Sequence, residues 1–153
     1  MEIYLLRHGI AADGHPDALR ALTAEGKDKL RRVLKRAEAK PSLILSSPYQ
    51  RALETAEIAA EVLGYEGQVE REQALTPEGS AAAVWDIIRA RKDEDAILMA
   101  SHEPLMSATV AYLLGAPGVQ VDMKKAALVR IDVDTFGPRP AGVLKWMLTP
   151  AVS

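Results

Sequence analysis

The first residues of the chain that could do chemistry come directly after an apolar run. Arg7, His8 and Gly9 follow the segment Ile3-Tyr4-Leu5-Leu6 without a break. An arginine can place two parallel hydrogen bonds on phosphate oxygens, and an imidazole can serve as nucleophile, base or hydrogen-bond donor. Glycine lets the backbone approach a ligand closely. Together these residue types suit the handling of a phosphoryl group.

Two further segments repeat this placement of polar residues after apolar ones. Ser46-Ser47-Pro48 and Arg51 follow Leu43-Ile44-Leu45, and Ser101-His102 follows the apolar run 96–100. Each has a simpler explanation when taken alone: a polar loop histidine, a helix start at Ser47-Pro48, or a solvated arginine paired with Glu54. Their shared position after apolar runs favours one common site.

Short apolar runs alternate with segments of helical periodicity along the whole chain. The pattern predicts six strands, at 2–7, 43–45, 68–72, 96–100, 126–133 and 142–148. It predicts four helices, over 23–39 with Thr23 as N-cap, from Ser47-Pro48 to Gly64, from Thr76-Pro77-Glu78, and from Pro104 to Gly115. The last two strands are joined through the turn-rich segment 137–140.

This alternation predicts an α/β protein. We expect three α/β/α layers around a mostly parallel central sheet, in a single domain spanning residues 1–153. Right-handed crossovers bring the carboxyl ends of parallel strands to one edge of the sheet, where ligands of open α/β sheets bind. Arg7, His8, Arg51 and His102 are therefore expected to meet.

Composition excludes several other classes. The chain has no cysteine, which removes disulfides and thiolate chemistry, and its net charge of −2 argues against nucleic-acid or membrane binding by bulk electrostatics. His8 and His102 could hold a metal ion together with a carboxylate, but two nearby arginines would repel a divalent cation, so no metal and no cofactor is expected. Glu2 and Arg7 are untypical of a signal peptide, and a cytoplasmic protein is expected.

Five segments resemble those of a known family. They are Leu6-Arg7-His8-Gly9, residues 19–26, Ser47-Pro48-Tyr49-Gln50-Arg51-Ala52-Leu53-Glu54-Thr55, Leu75-Thr76-Pro77-Glu78-Gly79 and Ser101-His102-Glu103-Pro104-Leu105. In this order and spacing they are similar to the histidine phosphatase superfamily, the phosphoglycerate-mutase-like proteins. The short chain resembles the SixA-type phosphohistidine phosphatases within it.

The resemblance implies a mechanism. His8 would attack phosphorus and become a phosphohistidine, while Arg7, Arg51 and His102 surround the phosphoryl oxygens. Two flanking guanidiniums should keep His8 neutral, and phosphate oxygens should favour the charged form of His102. Arg20 and Gly9 are assigned to substrate binding, and no metal is required.

One position departs from the family pattern. Short members often carry a glutamate where this chain has Ala74, so a carboxylate that could protonate a leaving group is missing. A phosphorylated imidazole leaves more easily than an alkoxide, which favours an N-phosphorylated substrate. Glu72, Glu78 and Glu103 remain candidate acids.

Three functions stay open at this stage. The leading hypothesis is a phosphatase for phosphohistidine on a histidine-phosphotransfer or phosphocarrier protein, because short loops leave the site open. The alternatives are a hydrolase for small phosphomonoesters or pyrophosphate bonds and a non-catalytic phosphate-binding module. The expected partner is a phosphorylated protein or a small phosphorylated molecule, with no nucleic acid and no membrane, and the chain is expected to be a monomer.

Overall fold

The protein alternates strands and helices in the predicted order. The structure, a computed structural model, describes residues 1–150. Its strands are β1 (Glu2–Arg7), β2 (Leu43–Ser46), β3 (Glu70–Arg71), β4 (Ala96–Ser101), β5 (Leu128–Asp132) and β6 (Val143–Leu148). Its α-helices are α1 (Ala24–Arg36), α2 (Gln50–Leu63), α3 (Ala81–Ala90) and α4 (Leu105–Leu113), with short 3-10 turns at Asp17–Leu19 and Gln73–Leu75.

The six strands form one mixed sheet in the order β3-β2-β4-β1-β5-β6. The first four strands of this order are parallel, whereas β5 and β6 are antiparallel to their neighbours. A connection without a crossover helix, as through residues 137–140, returns the chain antiparallel. The α/β fold class is confirmed, and the two closing strands make the sheet mixed.

Helices cover both faces of the sheet. In β1, Ile3 and Leu5 pack into one core cluster with α3 and α4, and Tyr4 and Leu6 pack into a second cluster with α1 and α2. Successive residues of a strand point to opposite faces, so a strand apolar at every position is buried between two layers. The three-layer arrangement is confirmed.

Two helices begin later than predicted. Ser47 accepts the Tyr49 N–H in a turn, and α2 starts only at Gln50. Residues 73–75 form a 3-10 turn, so Thr76 does not open α3; Ser80 caps that helix by accepting the Ala83 N–H. At α3 two cap signals compete, Thr76 and Ser80, and the second one in the chain starts the helix, whereas Tyr49 before α2 makes no side-chain cap bond. The predicted cap of α1 is confirmed, since Thr23 accepts the Gly26 N–H.

Candidate active site

Three neighbouring parallel strands deliver the candidate residues to one edge of the sheet. Arg7 at the end of β1 lies opposite Ser101 at the end of β4. The His8 N–H donates to the Ser101 carbonyl at 2.9 Å, and the Ser47 N–H donates to the Ala100 carbonyl at 3.0 Å. These backbone bonds continue the sheet for one residue past each strand. The reactive side chains are therefore mounted on the sheet rather than on free loops.

The structure brings His8, His102 and Arg51 into contact. The two imidazole rings lie 5.1 Å apart between centroids, and Arg51 Nε lies 3.4 Å from His8 Nε2. All three side chains are buried. Arg7 lies close enough to lower the pKa of both histidines through its charge. The four residues predicted to meet do so.

The hydrogen bonds of His8 determine which ring nitrogen can react. Its Nδ1 lies 2.7 Å from the Gly9 carbonyl oxygen. A carbonyl only accepts, so Nδ1 carries the proton and donates it, and Nε2 keeps a lone pair. That lone pair faces the Nε–H of Arg51. His8 is thus held as a neutral imidazole with Nε2 directed into the site.

Burial is the main reason that His8 is neutral. The pKa of His8 is lowered to about 4, first by loss of hydration and then by the charges of Arg51 and Arg7, against an opposing effect of the Gly9 bond. The sequence predicts a neutral His8 with the two guanidiniums as the expected cause, whereas in the structure burial is the larger cause. Sheet position buries the ring, and a sequence pattern does not show the depth of that burial.

His102 is neutral in the protein on its own. Burial and the neighbouring His8 lower its pKa to about 3. Its Nε2 lies 2.8 Å from the Ser47 hydroxyl, and its Nδ1 is buried without a hydrogen-bond partner among residues 1–150. The charged form of His102 that the sequence predicts would require bound phosphate. Its oxygens would raise the pKa of His102 above the low value found in the protein on its own.

Asp17 is a part of the site that sequence reasoning missed. Arg51 donates to the Asp17 backbone carbonyl at 2.9 Å and forms an ion pair with its carboxylate at 3.2 Å. The alternative partner Glu54 instead accepts the Leu22 N–H at 2.8 Å, so that interpretation is wrong. No helical spacing connects Asp17 to Arg51, and no sequence signal pointed to it.

Thr55 connects the loop that carries His8 and Gly9, here called the nucleophile loop after the proposed role of His8, to α2. Its hydroxyl accepts the Gly9 N–H at 3.2 Å and donates to the Arg51 carbonyl at 2.7 Å. A Cβ on Gly9 would lie 2.8 Å from Leu30 Cδ1, so the glycine lets this loop pack on α1. That packing is a reason for glycine besides the predicted ligand approach, which stays a prediction.

Arg20 does not contact the histidines; it is connected to the cluster through Asp17. It donates to the Ala12 carbonyl at 2.8 Å and to the Asp17 carboxylate at 2.9 Å. Asp17 therefore bridges Arg20 and Arg51, and these two contacts lower the pKa of its carboxyl group. Substrate binding by Arg20 stays a prediction; its observed contacts hold Asp17.

None of the three candidate acids bonds to the reactive cluster. Glu103 accepts the Ser107 N–H at 2.7 Å, a bond typical of a helix start, and Glu78 is exposed. Within residues 1–150, no hydrogen bond or ion pair connects Glu72, Glu78 or Glu103 to His8 or His102.

Among residues 1–150, no group of three or more potential ligand side chains is arranged to hold a metal ion. No helix described there is long and apolar enough to cross a membrane.

The fold and this cluster of histidines and arginines define an α/β protein of the phosphoglycerate-mutase-like class. The model of the histidine phosphatase superfamily (branch 1) matches residues 3–76. The phosphohistidine phosphatase SixA of Escherichia coli (strain K12) is 31% identical over 157 aligned residues, covering 98% of this chain and 94% of the relative. An uncharacterized protein of Picosynechococcus sp. is 36% identical over 139 residues, covering 84% of this chain and 83% of the relative.

A solved structure is similar over nearly the whole chain. The protein histidine phosphatase SixA complexed with tungstate has a TM-score of 0.87 and 29% identity, with 99% of this chain and 98% of the other covered. The chain belongs to the histidine phosphatase superfamily, in its SixA-type branch, and these similarities support phosphatase activity.

Proposed function

We propose that the chain is a metal-independent phosphatase that removes phosphate from phosphohistidine on a protein and forms a phosphohistidine on His8. The observation that carries the proposal is the Nε2 lone pair of a buried, neutral His8, held by the Nδ1 bond to Gly9 and facing Arg51. A nucleophile must keep its lone pair and its direction, and both are provided here.

The first step exchanges one P–N bond for another. Nε2 of His8 attacks phosphorus in line, the new N–P bond forms, and the P–N bond to the substrate imidazole breaks. The departing nitrogen takes a proton from solvent. The charge on the equatorial oxygens is stabilised by Arg7, Arg51 and His102, which lie in a buried site where such interactions are strong.

The second step restores the enzyme. Water attacks phosphorus, the bond to Nε2 breaks, and phosphate leaves with His8 neutral again. The low pKa of His8 supports this cycle, because a neutral leaving imidazole is regained once the phosphoryl group is lost. Phosphate oxygens beside His102 would oppose the lowering of its pKa, so that this residue can gain a proton as the dianion binds.

The leaving group supports the choice of a P–N bond. Ala74 has no carboxyl group, and none of the glutamates considered as acids bonds to the cluster. Ester hydrolysis needs a dedicated proton donor for the alkoxide, whereas a departing imidazole can take its proton from solvent. The E. coli relative is named a phosphohistidine phosphatase, and the similar structure is a complex with tungstate, an oxyanion analogous to phosphate.

One comparison of substrates tests the proposal. Purified protein in EDTA is given a phosphohistidine protein, phosphoramidate and a panel of phosphate monoesters and pyrophosphate, and kcat/KM is measured for each. We expect the phosphohistidine protein to have the highest value and EDTA to have no effect. A higher value for a small ester or for pyrophosphate would replace the proposal by the small-molecule hydrolase. Cytoplasmic location and the monomeric state remain predictions.

A further inference from the structure

A strongly basic groove lies beside the reactive cluster. It has a volume of about 640 Å³ and begins at Arg7. Four more cations line it, Lys29 and Arg32 from α1 and Lys124 and Lys125 from the segment before β5. No acidic residue is among its lining residues in the described range 1–150. We call this surface, with its five cations, the basic groove.

The positive charge of the basic groove contrasts with the chain as a whole. The net charge of the protein is −2, so this local excess of cations is not a consequence of composition. Lys29 pairs with Glu25 at 3.4 Å and Lys124 with Asp122 at 3.0 Å. These two pairs offset the charges of Lys29 and Lys124, so the net positive charge of the groove comes from Arg7, Arg32 and Lys125. Arg32 and Lys125 have no ion-pair partner within residues 1–150.

The groove is coupled to the reaction centre by geometry. Arg7 donates to the Met123 carbonyl at 2.9 Å, and the Ala126 N–H donates to the His8 carbonyl at 3.2 Å. Ala126 adopts a left-handed backbone with φ of 65°, which is uncommon for a residue with a Cβ. These contacts hold residues 123–126 against the loop that carries His8, and the charge of Lys125 lowers the pKa of His8.

The chemistry of the groove fits a broad anionic surface. Its cations are long side chains on separate elements, and Arg32, Lys124 and Lys125 are exposed. A site for a small second anion would instead converge buried, fixed donors on one point. Mobile cations spread over an open groove suit carboxylates distributed over a protein face.

Resting on the proposed function, we infer that the basic groove docks an acidic protein surface flanking the phosphorylated residue of the substrate. The phosphoryl group would enter beside Arg7 while neighbouring carboxylates lie along Arg32 and Lys125. The groove would then select among phosphorylated proteins by the charge around the modified residue, whereas the cluster recognises the phosphoryl group itself.

Two peptides and two double variants test this inference. The peptides carry phosphohistidine flanked by glutamates or by glutamines. The groove variant combines Arg32→Glu with Lys125→Glu, and the control combines Lys35→Glu with Lys40→Glu, two exposed lysines outside the groove with the same change of charge. Binding is measured by fluorescence anisotropy with His8→Ala added to every protein, so that the readout does not need turnover.

We expect the glutamate peptide to bind about tenfold more tightly than the glutamine peptide, a preference that shrinks as salt rises from about 50 to about 500 mM. The groove variant should lose the preference and the control should keep it. Equal binding of both peptides, a preference retained in the groove variant, or one lost equally in the control would overturn the inference.

Two other outcomes can be distinguished from those above. Inorganic triphosphate that binds the wild-type groove and not the groove variant, without any peptide preference, would make it a small-anion subsite and overturn the inference. Failure of the proteins that retain His8 to hydrolyse either peptide would contradict the proposed function, while the anisotropy result still decides on the groove.

Discussion

At the scale of single residues, the site is built from groups whose charge is controlled by burial and by neighbours. His8 and His102 are both neutral because the sheet edge buries them, and the Arg51 guanidinium pairs with the Asp17 carboxylate at 3.2 Å. Asp17 therefore provides an anion where a substrate phosphate would also bind, since a guanidinium offers the same donors to carboxylate and phosphate.

Asp17→Asn should strengthen inhibition by vanadate several-fold. The variant removes a carboxylate that competes for Arg51, while the backbone carbonyl of residue 17 still accepts from the guanidinium. Asp13→Asn, in the same exposed loop, is the control and should change nothing. Weaker inhibition in Asp17→Asn would mean instead that the carboxylate serves to position Arg51.

Removal of each candidate acid should leave P–N hydrolysis intact. Glu72→Gln, Glu78→Gln and Glu103→Gln are each expected to keep kcat on a phosphohistidine protein within about tenfold of wild type, far from the 10²–10⁴ of lost acid catalysis. Initial rates on purified variants decide the matter. A collapse in any one of them would identify an acid and favour ester substrates.

The sequence predicts the reactive residues better than their partners. Arg7 ends β1, and His8, Arg51 and His102 come after β1, β2 and β4; strand ends on one sheet edge can be inferred from the order of elements. Asp17 lies in a short 3-10 turn whose path over Arg51 depends on the packing of the whole loop. Side-chain partners across such a loop leave no periodic signal, so this contact could not be predicted.

At the scale of elements, one side chain joins two parts of the site, α2 and the loop that carries His8. Thr55 of α2 bonds to Gly9 in the nucleophile loop and to the carbonyl of Arg51. Without it, the buried Gly9 N–H would lose its acceptor, and the loop that carries His8 would lose this bond to α2.

Thr55→Val should therefore reduce both stability and kcat. A buried donor left unpaired costs about 1–3 kcal/mol in the free energy of unfolding, measured by urea denaturation. Thr109→Val is the matched control, because the buried Thr109 makes the same intrahelical bond, to the Leu105 carbonyl at 2.7 Å, in α4. It should lower stability with kcat unchanged, and Thr55→Ser should restore kcat. Equal kcat in the two valine variants would contradict a positioning role for Thr55.

Element boundaries show where local signals compete. The sequence predicts the buried strands β1, β2 and β4 and the N-cap at Thr23, because the apolar runs and the capping residue there have no competing signal. At α3 the sequence contains two N-cap signals, Thr76-Pro77 and then Ser80. Thr76 instead ends the 3-10 turn over 73–75, so the helix begins after Ser80. The antiparallel pairing of β5 and β6 follows from the connection between them, which contains no helix.

At the scale of the whole molecule, burying two neutral imidazoles links stability to pH. In the unfolded chain each histidine takes up a proton near pH 6.5, whereas in the folded protein His8 and His102 do so only near pH 4 and 3. Between these values the unfolded state binds more protons, so stability rises with pH. This contribution is fully present above pH 6.5 and is lost as pH falls toward the folded values.

The melting temperature should thus fall between about pH 7 and about pH 5, and it should fall less in His102→Gln, which has no proton to gain there. The comparison uses the slope with pH, so a constant change in stability from the substitution does not affect it. Parallel slopes for the two proteins would contradict a neutral His102 in the folded state.

In the proposed mechanism, the whole fold serves to present one nitrogen atom, His8 Nε2. The apolar strand β1 runs directly into Arg7 and His8 because a buried strand limits the movement of the residue that follows it, and in-line attack tolerates little misplacement. The central claim is that His8 Nε2 becomes covalently phosphorylated.

Brief reaction with labelled substrate followed by alkaline denaturation tests that claim most directly. The account predicts protein-bound phosphate that is stable to base, labile to acid and mapped to His8, absent in His8→Ala and still formed slowly in His102→Ala. Label that survives acid, or label mapped to His102 in the wild-type protein, would contradict it.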